Sequence, residues 1–259
     1  MSPQLIDTHC HPYFGHYDQD RDEVMKRTFE TCTAIICVGA GVHESGRSVE
    51  LAGRYGQVYA SVGVHPHDID RDDVRELDAL AALPKVVAIG ECGLDYKEDT
   101  VHGSRPVNKA KQAEVFRYQL NLADKLDLPV IIHARECWED LIPMLKEAQP
   151  KSGVIHSWTG GLKEADEIIK LGLHISFSGM LTYPANSHIR EVAAMAPLGK
   201  IMIETDSPFL PPQSLRGQRN EPGNVKMVAE KLAEIRDVGF DEIAQVTTAN
   251  ARQLFNLPK

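Results

Sequence analysis

Eight short apolar runs, each rich in β-branched residues and each followed by a segment of helical periodicity, recur along this chain. The runs occupy residues 4–10, 34–40, 58–64, 86–91, 129–134, 153–157, 173–178 and 200–205. Strict alternation of strand and helix is typical of a parallel sheet, and eight such units close into a (β/α)8 barrel. The chain has 259 residues, a common length for one such domain. The sequence therefore predicts an α/β protein with a (β/α)8 TIM barrel, folded as a single domain over residues 1–259.

The segments outside this alternation lie where a barrel of this kind would use them. Two stretches rich in proline and glycine, 97–107 and 207–223, follow predicted strands. Because active sites of such barrels lie at the carboxyl ends of the strands, long loops there indicate substrate handling. Two further helices are predicted at 224–237 and 240–255, and they complete the domain rather than form another.

Composition and charge narrow the classes of function. The five cysteines include no C-x-x-C pair, which argues against a disulfide framework and against a thiolate zinc site. The net charge of −9 argues against non-specific coating of nucleic acid, so a phosphate substrate would be met locally by metals and a few cations. No apolar run approaches the roughly 20 residues of a membrane span, and the first strand begins by Leu5 without a signal peptide. We therefore expect no membrane contact and a cytoplasmic location.

Ionisable side chains collect at the ends of six predicted strands. His9 and His11 end the first strand, and both imidazoles face the same side because an extended strand has a side-chain period of two. The other five strand ends carry His65, Glu91, His133, His156 and Asp206. A structural role would account for any one histidine, but it gives no reason for the whole set to gather at one end of the barrel.

The types of these side chains indicate metal ions. Imidazoles and carboxylates without thiolates suit Zn²⁺, Mn²⁺ or related divalent ions. The set contains more ligands than one catalytic ion with an open coordination position needs, so two ions are favoured over one. Two such ions activate a water and stabilise charge on the oxygens of a phosphoryl group. The sequence therefore predicts a metalloenzyme that binds two divalent ions, with Zn, Mg and Mn left open.

Six motifs, taken together and in order, resemble the TatD family of metal-dependent hydrolases, within the amidohydrolase-like barrels. They are Asp7–His11, Gly63–Pro66, Gly90–Tyr96, His133–Glu136, His156–Gly160 and Glu204–Pro208. The resemblance covers nearly the whole chain and implies a metal-dependent deoxyribonuclease, typically an exonuclease.

The resemblance also implies roles for individual residues. His9, His11, Glu91 and Asp206 would hold one metal, and His133 and His156 would hold the second together with a bridging Glu91. His65 corresponds to an additional active-site histidine near the phosphate. Asp206 would either orient and deprotonate the attacking water or serve only as a ligand. The catalytic set is thus Asp206, Glu91 and His65.

Substrate contacts are predicted beside this set. Arg135 and Arg219 lie within family motifs and could contact a DNA backbone, and Asn220 neighbours Arg219. Tyr96 could stack on an unpaired base. A recessed barrel site accepts an unpaired or terminal nucleotide more readily than an intact duplex, which favours an exonuclease. With the family resemblance, we expect a 3′–5′ exonuclease on single-stranded or frayed DNA, with a role in DNA repair.

Two other functions remain open on the sequence. The first is hydrolysis of a carboxylic ester or amide such as aminoacyl-tRNA, because a barrel with two metals serves acyl transfer equally well. That class often carries a carboxylated lysine at the end of strand four, where this chain has Glu91. The second is a nucleic-acid-binding metal scaffold without catalysis, which is disfavoured because the chain retains every predicted ligand.

Overall fold

The computed structural model describes residues 5–97 and 107–258. Eight parallel strands form one sheet, and their order in the sheet is their order in the chain. The strands are β1 (Leu5–Cys10), β2 (Cys32–Val38), β3 (Val58–Val62), β4 (Val86–Asp95), β5 (Val130–Arg135), β6 (Gly153–Ile155), β7 (His174–Phe177) and β8 (Ile201–Ile203). All eight predicted strands are present, and the predicted (β/α)8 barrel is confirmed.

Helices alternate with these strands. They are α1 (Arg21–Thr31), α2 (Val42–Arg54), α3 (Leu77–Ala81), α4 (Lys109–Leu126), α5 (Trp138–Ala148), α6 (Leu162–Lys170), α7 (Ser187–Met195), α8 (Val225–Arg236) and α9 (Phe240–Leu254). The last two correspond to the predicted segments 224–237 and 240–255. None of the helices within 5–97 and 107–258 combines the length and apolar character needed to cross a bilayer.

Hydrogen bonds between β1 and the segment after β8 join the two ends of the sheet. The Asp206 N–H donates to the His9 carbonyl at 2.8 Å. The buried carboxylate of Asp7 accepts from the Thr205 N–H at 2.9 Å and from the Thr205 hydroxyl at 2.6 Å. These bonds close the barrel and bring ligands from the first and last strands together.

The core has two layers because successive side chains on each strand point to opposite faces. One layer packs outward against the helices. The other fills the barrel interior and includes Ile6, Ile36, Ile131, Val154 and Met202. The end of α9 packs against this inner layer through Ala251, Leu254 and Phe255. The amino end of the barrel is therefore covered by apolar side chains, which leaves the carboxyl end for polar groups.

Strand β4 departs most from the prediction. The sequence predicts a strand ending at residue 91, whereas the structure continues it to Asp95. The apolar run stops at the first carboxylate, and the residues beyond it pair in register with β5 through Gly93 and His133. Most of the predicted loop 97–107 lies outside the described residues.

Candidate metal centre

Glu91 lies at the middle of the predicted ligand set. Its Oε1 is 2.8 Å from His133 Nδ1 and 2.7 Å from His156 Nε2. Its Oε2 is 3.5 Å from His9 Nε2 and 3.9 Å from His11 Nε2. One carboxylate therefore faces two separate pairs of imidazoles, one pair on each of its oxygens.

Asp206 completes the group on the β1 side. Its Oδ1 lies 3.4 Å from His11 Nε2 and 3.7 Å from His9 Nε2, and its side chain is 15% exposed. The three side chains offer ligand atoms that all lie within 4.8 Å of one another. They form a group that could hold one cation close to the open end of the barrel.

Close backbone packing positions Glu91. A side chain at Gly63 would collide with the backbone of Gly90, and a side chain at Gly90 would collide with the backbone of Ile131. Gly90 also has a φ of 144°, which L side chains rarely adopt. The glycines therefore let β3, β4 and β5 approach closely where Glu91 turns into the barrel.

Hydrogen bonds to carboxylates orient two of the imidazoles. His156 Nδ1 donates to Glu204 Oε1 at 3.1 Å, and His133 Nε2 donates to Asp95 Oδ2 at 3.1 Å. In the neutral forms of the two rings, the remaining nitrogens carry lone pairs and face each other at 3.0 Å, beside Glu91 Oε1. Three acceptors at this spacing repel one another unless a proton or a cation lies among them. This donor set fits a divalent metal ion, and the carboxylate–histidine arrangement is the one that orients metal ligands.

The pair on β1 has a related arrangement. His11 Nδ1 donates to the Val38 carbonyl at 2.7 Å, which leaves the Nε2 lone pair directed at His9 Nε2, 3.2 Å away. His9 Nδ1 is buried and has no hydrogen-bond partner among the residues that the structure describes. The His9 ring also stacks on the ring of His156, with centroids 3.9 Å apart. The two imidazole pairs are therefore in direct contact across one compact centre.

Electrostatics favour a cation here. Burial alone would raise the pKa of Glu91, but the neighbouring imidazoles, His156 first among them, outweigh burial and hold it well below its ordinary value. Burial would likewise raise the pKa of Asp206, but the neighbouring imidazoles of His11, His9 and His156 outweigh burial and lower it. Both carboxylates are thus anionic at neutral pH.

His156 shows the opposite shift. Burial would lower its pKa, yet Glu91 and Glu204 outweigh burial and raise the pKa well above the ordinary value. The metal-free centre therefore retains a proton on this ring at neutral pH, and a metal ion would displace that proton.

His65 differs from the other histidines. Its Nδ1 accepts a hydrogen bond from the His67 backbone N–H at 3.1 Å, and its Nε2 lies 3.7 Å from Glu91 Oε1. Burial lowers its pKa to about 3, so the ring is neutral. A neutral ring that accepts at Nδ1 carries its proton at Nε2. His65 is accordingly arranged to donate a hydrogen bond into the centre.

Two carboxylates of the centre received no role from the sequence. Asp95 contacts His133 and lies 3.3 Å from His67 Nε2, and together with His65 and His133 it forms a further group with metal-ligand spacing. Glu204 is fully buried against His156. The available signal was position: Asp95 lies four residues after Glu91 on the same strand, and Glu204 directly follows β8.

The predicted substrate contacts Arg135 and Tyr96 lie beside the centre. Arg135 ends β5, is 46% exposed, and has its guanidinium 4.0 Å from Asp95. Its charge remains open to solvent. Tyr96 donates its hydroxyl to Asp140 at 2.7 Å, and the Lys109 ammonium lies 3.9 Å from the ring centroid. The ring of Tyr96 is therefore already covered on one side.

The geometry does not support direct substrate contacts by Arg219 and Asn220. Arg219 makes a bidentate ion pair with Asp20 at 2.8 and 2.6 Å and also pairs with Glu221 at 3.1 Å, so its charge is compensated. Asn220 is fully buried and donates to the Thr205 carbonyl at 3.0 Å. Its amide oxygen accepts from the backbone at 3.0 Å. Both residues were predicted from a motif, and their packing makes them anchors of the loop after β8.

Comparison with known proteins places the chain in a family. The family model described as TatD related DNase matches residues 6–256. The chain is 41% identical to the uncharacterized metal-dependent hydrolase YabD of Bacillus subtilis, over 98% of this chain and 99% of the relative. It is 33% identical to the 3'-5' ssDNA/RNA exonuclease TatD of Salmonella typhimurium, over 94% and 95% of the two chains.

A solved structure shares the whole architecture. The crystal structure of YjjV, a TatD homologue from Escherichia coli K12, superposes with a TM-score of 0.92 and 33% identity, covering 100% of both chains. The match of the family model extends over nearly all of the barrel and includes every predicted ligand. The chain therefore belongs to the TatD family of metal-dependent hydrolases.

Proposed function

We propose that this protein is a two-metal deoxyribonuclease that removes nucleotides in the 3′–5′ direction from single-stranded or frayed DNA. One observation carries the proposal: Glu91 lies between two imidazole pairs, with one carboxylate oxygen toward each. A bridging carboxylate between two ligand groups is suited to two adjacent cations. We propose further that the whole chain is one TatD-like domain and that it acts in the cytoplasm in DNA repair.

The ligands divide into two groups around Glu91. We assign His9, His11 and Asp206 to one ion and His133 and His156 to the other, with Zn²⁺, Mg²⁺ and Mn²⁺ all compatible with these atoms. When bound, two such ions activate a water and neutralise charge on phosphoryl oxygens.

The side chains around the ions have separate tasks in this proposal. The Asp206 side chain is 15% exposed, so its second oxygen could orient the attacking water and accept its proton. His65 directs an N–H into the centre, where a phosphoryl oxygen would accept it. Glu204 and Asp95 hold the rings of His156 and His133.

The residues around the metal centre and its burial are suited to binding a single-stranded polynucleotide. The exposed guanidinium of Arg135 would contact a phosphate of the strand. Four of the six ligands, His9, His11, Glu91 and His156, are buried, so a flexible single strand reaches the centre more readily than a duplex does. The Salmonella relative is named as an exonuclease on single-stranded DNA and RNA, which agrees with this preference.

The test is product mapping on defined oligonucleotides. Protein loaded with Mg²⁺ or Mn²⁺ is incubated with single strands labelled at the 5′ or the 3′ end, beside the same strand in a blunt duplex. We expect the 3′ label to leave first as a mononucleotide, and the 5′-labelled strand to shorten stepwise. Aryl esters and aminoacyl-tRNA are run in parallel, because ester turnover without nucleotide release would replace the proposed function with acyl hydrolysis.

Two controls complete this test. Asp206→Asn with both metals retained is expected to lose most activity if Asp206 moves a proton, and full activity would leave it as a ligand only. Tight binding of DNA with no metal-dependent turnover would support the scaffold alternative instead.

A further inference from the structure

An exposed aromatic cluster borders the metal centre on the β8 side. It consists of Phe209, Phe14 and His16, with the Phe209 ring centroid 5.8 Å from Phe14 and 6.0 Å from His16. The same ring lies 6.4 Å from the ring of His11. The Phe209 side chain is 45% exposed. A partner that covers this apolar ring would remove apolar surface from water, which is favourable. The cluster is therefore placed to receive an apolar or aromatic face close to the reacting group.

The backbone of Phe209 is fixed relative to the metal centre. Its N–H donates to the Asp206 carbonyl at 2.9 Å. Its carbonyl accepts from the Asn220 side chain at 2.8 Å, and that same amide group also donates to Thr205 at 3.0 Å. The Asn220 side chain thus links the backbone of Phe209 to the end of β8, and these hydrogen bonds hold Phe209 in a fixed position beside the site.

A cavity of about 590 Å³ continues from this cluster along the loop after β8. Its lining includes His16, Tyr183, Pro208 and Arg216. The Arg216 guanidinium lies 4.9 Å from the Tyr183 ring centroid, and among residues 5–97 and 107–258 it makes no ion pair. Arg216 is exposed, so it presents an uncompensated positive charge in a chain of net charge −9.

We propose that this surface is a subsite for a single-stranded polynucleotide, in which a base stacks on Phe209 and a neighbouring phosphate contacts Arg216. The proposal rests on the proposed function and names the path of its substrate. Base–aromatic stacking beside a cation is the general means of holding a single strand without reading its sequence. Inside a duplex both faces of a base stack on its neighbours, so the subsite favours unpaired strands. In this subsite, the buried Asn220 holds the stacking ring in place.

The test compares a polynucleotide with a small substrate. Wild type, Phe209→Ala, Phe209→Tyr and Arg216→Ala are assayed on a single-stranded oligonucleotide and on bis(p-nitrophenyl) phosphate. The control is Met195→Ala, because Met195 is a 71% exposed apolar residue at the end of α7, before β8 begins. Binding to metal-loaded protein is measured separately, with an oligonucleotide whose 3′ linkages are phosphorothioates.

We expect Phe209→Ala to raise KM for the oligonucleotide about tenfold, as loss of one stacked base predicts, with kcat less affected. In Phe209→Ala, kcat/KM for the oligonucleotide therefore falls relative to kcat/KM for bis(p-nitrophenyl) phosphate. Phe209→Tyr is expected to keep the wild-type ratio of these two values. Arg216→Ala weakens binding about fivefold at low salt and reduces the salt dependence of binding.

The subsite and the proposed function fail in different ways. If wild type digests the oligonucleotide and Phe209→Ala matches Met195→Ala in KM and binding, the subsite is wrong and the nuclease function stands. If the oligonucleotide binds through Phe209 but no nucleotide is released, the subsite stands and the proposed function is wrong. Absence of measurable binding by wild type overturns the subsite.

Discussion

The two ends of the barrel bury very different side chains. At the carboxyl end, Glu91 and His9 are buried among other groups that ionise. At the amino end, Ile6 and Met202 pack with Leu254 of α9. Burying apolar groups stabilises a fold directly, whereas burying charge costs free energy unless a partner compensates it. The amino end therefore provides stability, and the carboxyl end holds a centre that is complete only when a cation compensates its carboxylates and facing lone pairs.

The largest expected effect comes from removing a ligand at the carboxyl end. His9→Ala is predicted to lower phosphodiester hydrolysis at least about a thousandfold, because metal ions contribute several kcal/mol of charge stabilisation. The barrel is expected to remain folded by circular dichroism. His188→Ala, an exposed histidine on α7, is the matched control and should keep full activity. Comparable activity in both variants would contradict the assignment of His9.

The reverse result is expected at the amino end. Phe255→Ala removes a buried ring that packs against the barrel interior, and it should lower the free energy of unfolding by about 3–5 kcal/mol. Metal content and kcat of the folded fraction should be close to wild type. Chemical denaturation followed by fluorescence measures the free energy of unfolding. A loss of bound metal without a loss of stability would contradict the different roles of the two ends.

A smaller effect is expected from the groups that orient the ligands. Glu204→Gln keeps the shape of the side chain but removes the charge that orients His156, so metal affinity should fall about 10- to 100-fold. A competition titration with a chelating dye measures the affinity. If excess metal restores kcat, Glu204 acts by positioning the ligand. Unchanged affinity would show that the hydrogen bond to His156 has no such role.

Protonation supplies a further test of the same centre. The pKa of His156 is raised, so in the metal-free protein this ring keeps its proton at pH values above the ordinary imidazole pKa of 6.5. Its contribution to metal-free stability is thus present at low pH and is lost as the pH rises through the raised pKa. Metal binding should release protons at pH 7 and tighten as the pH rises. Calorimetry in two buffers of different ionisation enthalpy detects the release, and identical heats would contradict it.

The sequence was most informative about features that depend on the residues of one strand alone. Six of the eight apolar runs end at or beside a residue of the centre, so the strand ends predicted the positions of His133 and His156. The barrel itself followed from the alternation of strands and helices. Both inferences depend on local pattern and on the rule that parallel strands direct their carboxyl ends to one edge.

Contacts between distant segments were not predictable in this way. Arg219 and its neighbour Asn220 were predicted to bind substrate, yet Asp20 compensates the charge of Arg219 from a segment almost two hundred residues earlier in the chain. The role of Asp95 was missed because β4 continues beyond its apolar run. No local pattern records which carboxylate will face a given cation after folding.

The most direct test of the central claim is an anomalous difference map from crystals of the protein loaded with Mn²⁺. Two peaks are predicted, both in contact with Glu91, one bounded by His9, His11 and Asp206 and the other by His133 and His156. A single peak, or peaks away from Glu91, would contradict the two-metal centre.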